Sequence, residues 1–166
     1  KELKTYQSLI DLILLTKLEE TKIEGYFIHD TVAFLQDGSQ LIVNISQIKD
    51  RDSDALFFIY SDKSCNSCVQ EALNQIGKIL KFNSINVYII SNFTAREVII
   101  FKEMHKWDYN KVHLLSGLDS FVKKIGKFPT FFTVNSNNEV DKVFIHDKTY
   151  SHITLEYLQL MSNWAK

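Results

Sequence analysis

The chain has 166 residues, is 45% hydrophobic, and sets nineteen basic against twenty acidic side chains for a formal net charge of -1. That size and apolar fraction suit one compact domain with its own core, and the charge balance supplies no long-range attraction for nucleic acid or an anionic membrane, so neither is an expected partner. Its two cysteines cannot build a disulfide-dense scaffold.

In chain order, Leu3, Tyr6, Ile10, Ile13 and Leu14 fall at helical spacing and predict an amphipathic helix over 3–18. Residues 1–25 are expected to pack as a helix on a domain formed by 26–166. The apolar stretch at 9–15 (LIDLILL) is short and interrupted by Asp11, against the roughly 20 apolar residues of a membrane span. The chain opens with Lys1 rather than Met, as expected of a processed or trimmed product, with room for a signal peptide or lipid anchor to have been removed.

Residues 32–35 and 41–45 are β-rich runs flanking Gln36-Asp37-Gly38-Ser39, a hairpin signal because glycine admits positive φ. Residues 55–60 (ALFFIY) form a continuous apolar run, the pattern of a central strand buried on both faces. Val69, Ala72, Leu73, Ile76 and Leu80 then mark one stripe of a helix. Residues 86–90 read as a strand, 94–107 as a helix capped by Thr94, 111–115 as a strand and 118–125 as a short helix. Residues 130–134 and 140–145 are strands joined by Asn135-Ser136-Asn137-Asn138. The closing helix begins near Ile153, with Tyr157, Leu160, Met161 and Trp164 on one side. Strands and helices alternate and a hairpin with a terminal helix ends the chain, which predicts an α/β layered sandwich with a mixed sheet.

Both cysteines lie in SDKSCNSC, residues 61–68, between the buried strand and the next helix. Spacing i, i+3 on a helix places both sulfurs on one face within disulfide reach. The helix N-terminus favours a thiolate at Cys65, with Lys63 close in sequence. An exposed thiolate with a second thiol one turn deeper suits attack and resolution, in which the first sulfur forms a mixed disulfide and the second displaces it. Two other readings stand beside this one. A single CxxC is half a tetrahedral zinc site, but His29, His105, His113, His146 and His152 are scattered without HxxH or HxxxH spacing. The pair could also be an unreactive structural disulfide.

Four features over residues 30–160 resemble the thioredoxin fold, and more closely the TlpA/ResA-like extracytoplasmic thiol-disulfide oxidoreductases. They are FLQDGSQLIVNISQIKD (34–50), LFFIYSDKSCNSC (56–68), the CxxCxxE pattern ending at Glu71, and KFPTFFTVNSNNEV (127–140) with the chain's one proline, Pro129. The resemblance implies a three-layer α/β/α sandwich with an N-terminal hairpin and helix and an inserted strand and helix at 86–107. It implies that Cys65 attacks, that Cys68 resolves, and that Pro129 is a cis-proline facing the pair. The backbone of Phe128 would pair with an extended substrate segment. Glu71 would lie beneath the cysteines and tune their proton chemistry; a solvated glutamate on the polar face is its other reading, as an ordinary trans-proline is for Pro129. Ser64 stands where the family has tryptophan at the substrate site, and Asn66-Ser67 where it has a dipeptide ending in proline.

The expectation is a monomeric protein thiol-disulfide oxidoreductase without cofactor or metal, a reductant outside the cytoplasm that receives electrons from a redox partner protein. Its rival is a redox-inert binding or scaffold domain of the same fold with a fixed disulfide. Copper-handling relatives of the SCO type use a wider cysteine spacing with a distant histidine, which the CxxC argues against.

Overall fold

The computed structural model describes residues 2–25, 31–34, 37–43, 47–48, 55–116, 122–123, 125 and 127–164. Its elements are α1 (Glu2–Ile23), β1 (Thr31–Phe34), β2 (Gln40–Val43), β3 (Leu56–Ile59), α2 (Asn66–Phe82), β4 (Val87–Ile90), α3 (Ala95–His105), β5 (Val112–Ser116), β6 (Thr130–Val134), β7 (Val140–Ile145) and α4 (Ser151–Trp164), with a 3-10 turn at Lys148–Tyr150 before α4.

The strands form one seven-stranded sheet in the order β2-β1-β5-β4-β3-β6-β7. β3, β4 and β5 run parallel at its centre, while β1, β2, β6 and β7 add antiparallel pairs on either side. The sheet is mixed, as expected, and β4 is wedged between β3 and β5, so the 86–107 segment is integral to it.

The apolar run at 56–59 explains the centre. All four residues of β3 are buried, and strand alternation sends them to opposite faces. Phe57 and Ile59 enter one core with Tyr88, Phe132, Val143 and Ile23. Leu56 and Phe58 enter the other with Val69, Leu73, Ile76, Val98 and Leu158. Cross-strand rings reinforce both: Phe57 stacks on Phe132 at 5.3 Å and Phe58 meets Phe131 at 4.6 Å. A core on each face gives the three layers.

Local signals hold where the chemistry is short-ranged. Gly38 has φ 82° and the Asp37 carboxylate accepts from the Ser39 N–H at 2.9 Å, so the first turn forms as its residues dictate. Thr94 caps α3 in a reciprocal box with Glu97. In α2 the stripe is Val69, Ala72, Leu73, Ile76 and Ile79, with Leu80 only half-buried. In α4 the core position belongs to Leu158, and the expected Leu160 is exposed; the Thr154, Leu158, Ser162 spacing is the buried one. The expected helix at 118–125 lies partly outside the described residues, of which Val122 and Ile125 are buried.

α1 is longer than its periodicity marks. Ile13 and Leu14, on its expected apolar face, are exposed, while Glu20 and Ile23 in its last turns are buried. There the Gly25 N–H bonds to the Val140 carbonyl at 2.9 Å, and a Glu20 carboxylate oxygen accepts from the Ile145 N–H at 3.2 Å. Among the described residues no helix is long and apolar enough to cross a membrane.

Candidate active site

The turn after β3 is set by its serines. The Ser61 N–H donates to Ser64 Oγ at 3.0 Å, the Ser64 N–H donates to the Ser61 carbonyl at 3.0 Å, and the Lys63 N–H donates to Ser61 Oγ at 3.2 Å. These bonds fold the chain back at the C-terminal end of β3 and deliver Cys65 as the N-cap of α2, with extended backbone (φ -60°, ψ 115°). The Cys65 carbonyl takes the Val69 N–H at 2.9 Å, which begins the helix and places Cys68 one turn along.

The two sulfurs sit in different surroundings. Cys65 is exposed and Cys68 half-buried, and both are free thiols. A hydrogen bond from the Cys68 thiol, then one from Ser67, then the Cys68 backbone N–H hold the Cys65 thiol well below its ordinary value, at about 7, with the Lys148 charge adding to them. Burial pushes the Cys68 thiol up, helped by its bond to Cys65 and the Cys65 charge. Cys65 Sγ lies 3.2 Å from Ser67 Oγ, and Lys148 Nζ donates to that same oxygen at 3.0 Å. The ammonium occupies a lone pair of the hydroxyl, which leaves the hydroxyl proton for the sulfur.

Both cysteines line a cavity of about 450 Å³ together with Lys63, Lys127, Phe128, Pro129 and the segment His146–Thr149. The sheet register brings these walls together. Thr130 pairs with Ile145 across β6 and β7, so Pro129 meets His146, whose N–H donates to the Pro129 carbonyl at 2.8 Å. Phe128 is 41% exposed at the rim, and its carbonyl accepts from Thr130 Oγ1 at 2.9 Å.

Of the expected site residues, Cys65, Cys68, Phe128 and Pro129 are brought together. The expected cis bond is corrected: among the described residues no peptide bond is cis, so Phe128–Pro129 is trans, the state an X–Pro bond favours by about 0.5–1 kcal/mol. Pro129 leads into β6, where its carbonyl is used by His146 and its missing N–H costs no ladder bond. Ser64 lies off the cavity wall, buried with its hydroxyl in the turn. Glu71 is half-buried, accepts from Gln75 Nε2 at 2.7 Å, and is not among the residues lining the cavity.

Sequence reading missed His146, Asp147, Lys148 and Thr149 as a wall of the cavity. His146 is 3% exposed. Its Nδ1 meets Thr154 Oγ1 at 2.7 Å, and its Nε2 has no partner among the described residues. Burial pushes its imidazole down, against the opposing charges of Glu71 and Asp147. No group of three or more His, Cys, Asp and Glu side chains among the described residues could hold a metal ion.

No model of a known protein family matches the chain, and no curated protein matches it. Solved structures do. A mitochondrial 2-Cys peroxiredoxin from Plasmodium falciparum aligns over 86% of this chain and 92% of its own, with 12% identity and a TM-score of 0.56. A peroxidoxin from Mycobacterium tuberculosis aligns over 82% and 96%, with 19% identity and a TM-score of 0.53. A thio-disulfide isomerase from Thermus thermophilus aligns over 83% and 96%, with 16% identity and a TM-score of 0.50. With a mixed seven-stranded sheet, a core on each face and these neighbours, the chain has a thioredoxin-like fold.

Proposed function

We propose that the protein is a thiol-disulfide oxidoreductase that exchanges its Cys65–Cys68 dithiol with disulfides of other proteins. The observation that carries this reading is the asymmetry of the pair. Cys65 is exposed and half-ionised near pH 7, while its neighbour is shielded and held as a thiol. Attack needs a thiolate that a substrate can reach; resolution needs a second sulfur that stays protonated until the mixed disulfide forms. Similar structures named as peroxiredoxins and as a thio-disulfide isomerase support thiol chemistry as the class. The paired cysteines support exchange within it.

The direction proposed is reduction. A nucleophile at about 7 sits with reducing dithiols such as thioredoxin, whereas strong oxidants hold theirs near about 3.5. We place the protein nearest the TlpA/ResA-like branch, working outside the cytoplasm as a monomer and re-reduced by a partner protein. An exposed Phe128 and the lysines Lys63, Lys127 and Lys148 border the substrate's approach.

The test is Cys68→Ser. With the resolving sulfur gone, Cys65 should retain substrates as mixed disulfides that reductant releases, and Cys65→Ser should retain none. Absence of trapped species, together with a wild-type pair that does not cycle reversibly, sinks the reading. The rival scaffold reading requires a disulfide more reducing than about -300 mV, so a reduction potential above that separates the two.

A further inference from the structure

His146 follows β7 and is held at three points. Its N–H bonds to the Pro129 carbonyl, its Nδ1 meets Thr154 of α4, and the preceding Ile145 N–H is taken by Glu20 of α1. The segment is therefore fixed, and the ring is buried in the wall of the cavity that His146 lines with Cys65 and Cys68. An imidazole nitrogen left without a partner in such a place is costly and asks for an explanation. With Nδ1–H donating to Thr154, Nε2 carries a lone pair.

The titratable groups that share the cavity wall with this ring are Cys65, Cys68, Lys63, Lys127, Asp147 and Lys148, and Glu71 of α2 acts on it through its charge. Glu71 and Asp147 favour the imidazolium and burial opposes it. The lysines line the cavity with the sulfurs. Of these groups, the Cys68 thiol is the one that must lose a proton during exchange; burial and Cys65 push its ionisation up, against the backbone N–H and the charge of Lys148.

We propose that His146 Nε2 accepts the Cys68 thiol proton as Cys68 attacks the mixed disulfide on Cys65. This role rests on the dithiol reading above. The step balances: the Cys68 sulfur forms a bond to Cys65 Sγ, the bond from Cys65 Sγ to the substrate sulfur breaks, the substrate leaves as a thiolate, and the proton stands on His146. The departing thiolate or solvent then removes it. In the reverse direction the imidazolium protonates Cys68 as the internal disulfide opens. Glu71, set by Gln75, supports the charged ring through its own charge, so the carboxylate acts at one remove from the sulfur.

The test follows the two half-reactions separately. The reduced protein is mixed with an aromatic disulfide that releases a coloured thiolate, once on attack by Cys65 and once on resolution by Cys68. In His146→Gln the first release should keep its rate within about twofold. The second should slow by roughly a hundredfold at pH 7, the scale of general-base catalysis, and recover as pH rises and Cys68 ionises unaided. Free imidazole should restore the second release in His146→Ala. An unchanged second release in His146→Gln overturns the proposal, as does equal slowing of both. Wild-type protein gives an independent reading should the variants fail to fold. Its second release should rise with pH through an inflection below 6.5, the ordinary imidazole value, then level; a rise only on the alkaline side overturns the proposal. A wild-type protein that releases one equivalent and forms no internal disulfide removes the dithiol reading and this role with it, whereas a normal wild type with an unaffected variant removes the role alone.

Discussion

A thiolate at Cys65 draws on the Ser67 hydroxyl and on the Lys148 ammonium behind it, connected in series. Its ionisation lies below that of an ordinary thiol, so the reactive form is present above about pH 7 and is lost as pH falls through that value. The rate of alkylation at Cys65 should therefore rise with pH to a midpoint near 7. Ser67→Ala should move that midpoint upward and slow alkylation at pH 7 severalfold, read from thiolate absorbance and alkylation rate across pH. Lys148→Gln should shift it the same way, and an unmoved midpoint in both variants would refute the relay. The sequence marks Cys65, Cys68 and the dipeptide Asn66-Ser67 because neighbours in the chain remain neighbours at a helix start. It does not mark Lys148, 81 residues from Ser67, since that contact exists only after the sheet closes. His146 was within reach by hairpin arithmetic: if 130 pairs with 145, then the residue after the second strand must face the proline before the first.

At the level of elements, legibility follows the range of the interaction. Short strands flanked by turn residues, the stripe of α2 and the cap of α3 are written in contiguous sequence, and all form. Thr94 Oγ1 accepts from the Glu97 N–H, and Glu97 Oε2 accepts from the Thr94 N–H at 2.7 Å. Together they satisfy two donors that the first turn would otherwise leave open. Thr94→Ala should lower stability by about 1 kcal/mol, measured as a lower urea midpoint with an unchanged slope, with the potential of the cysteine pair unaltered. A loss near zero would mean that solvent serves those donors equally well. Buried faces are less legible than element positions. In α4 both Leu158 and Leu160 are apolar, and only the packing of Leu158 against Phe58, Val69 and Leu73 in one core decides between them.

Across the whole molecule, α1 reaches the sheet through a polar tie as well as an apolar one. Ile23 joins the core that holds Phe57, Tyr88 and Phe132, while Glu20, 4% exposed, bonds the Ile145 N–H at the end of β7. Lys17 pairs with the other oxygen of the same carboxylate, so the charge enters the interior with two partners. The residue after Ile145 is His146, and one turn later Lys148 bonds Ser67. A helix at the far end of the chain thus braces the strand terminus from which the cavity wall hangs. Glu20→Ala removes the acceptor and leaves a backbone N–H buried without one, at a cost of about 1–3 kcal/mol. Glu20→Gln keeps an acceptor oxygen for Ile145 and should retain most of that stability. Both are read by urea unfolding followed through tryptophan fluorescence. The order expected is wild type, then Glu20→Gln, then Glu20→Ala; equal stability of all three would show that α1 holds to the sheet by the burial of Ile23 alone.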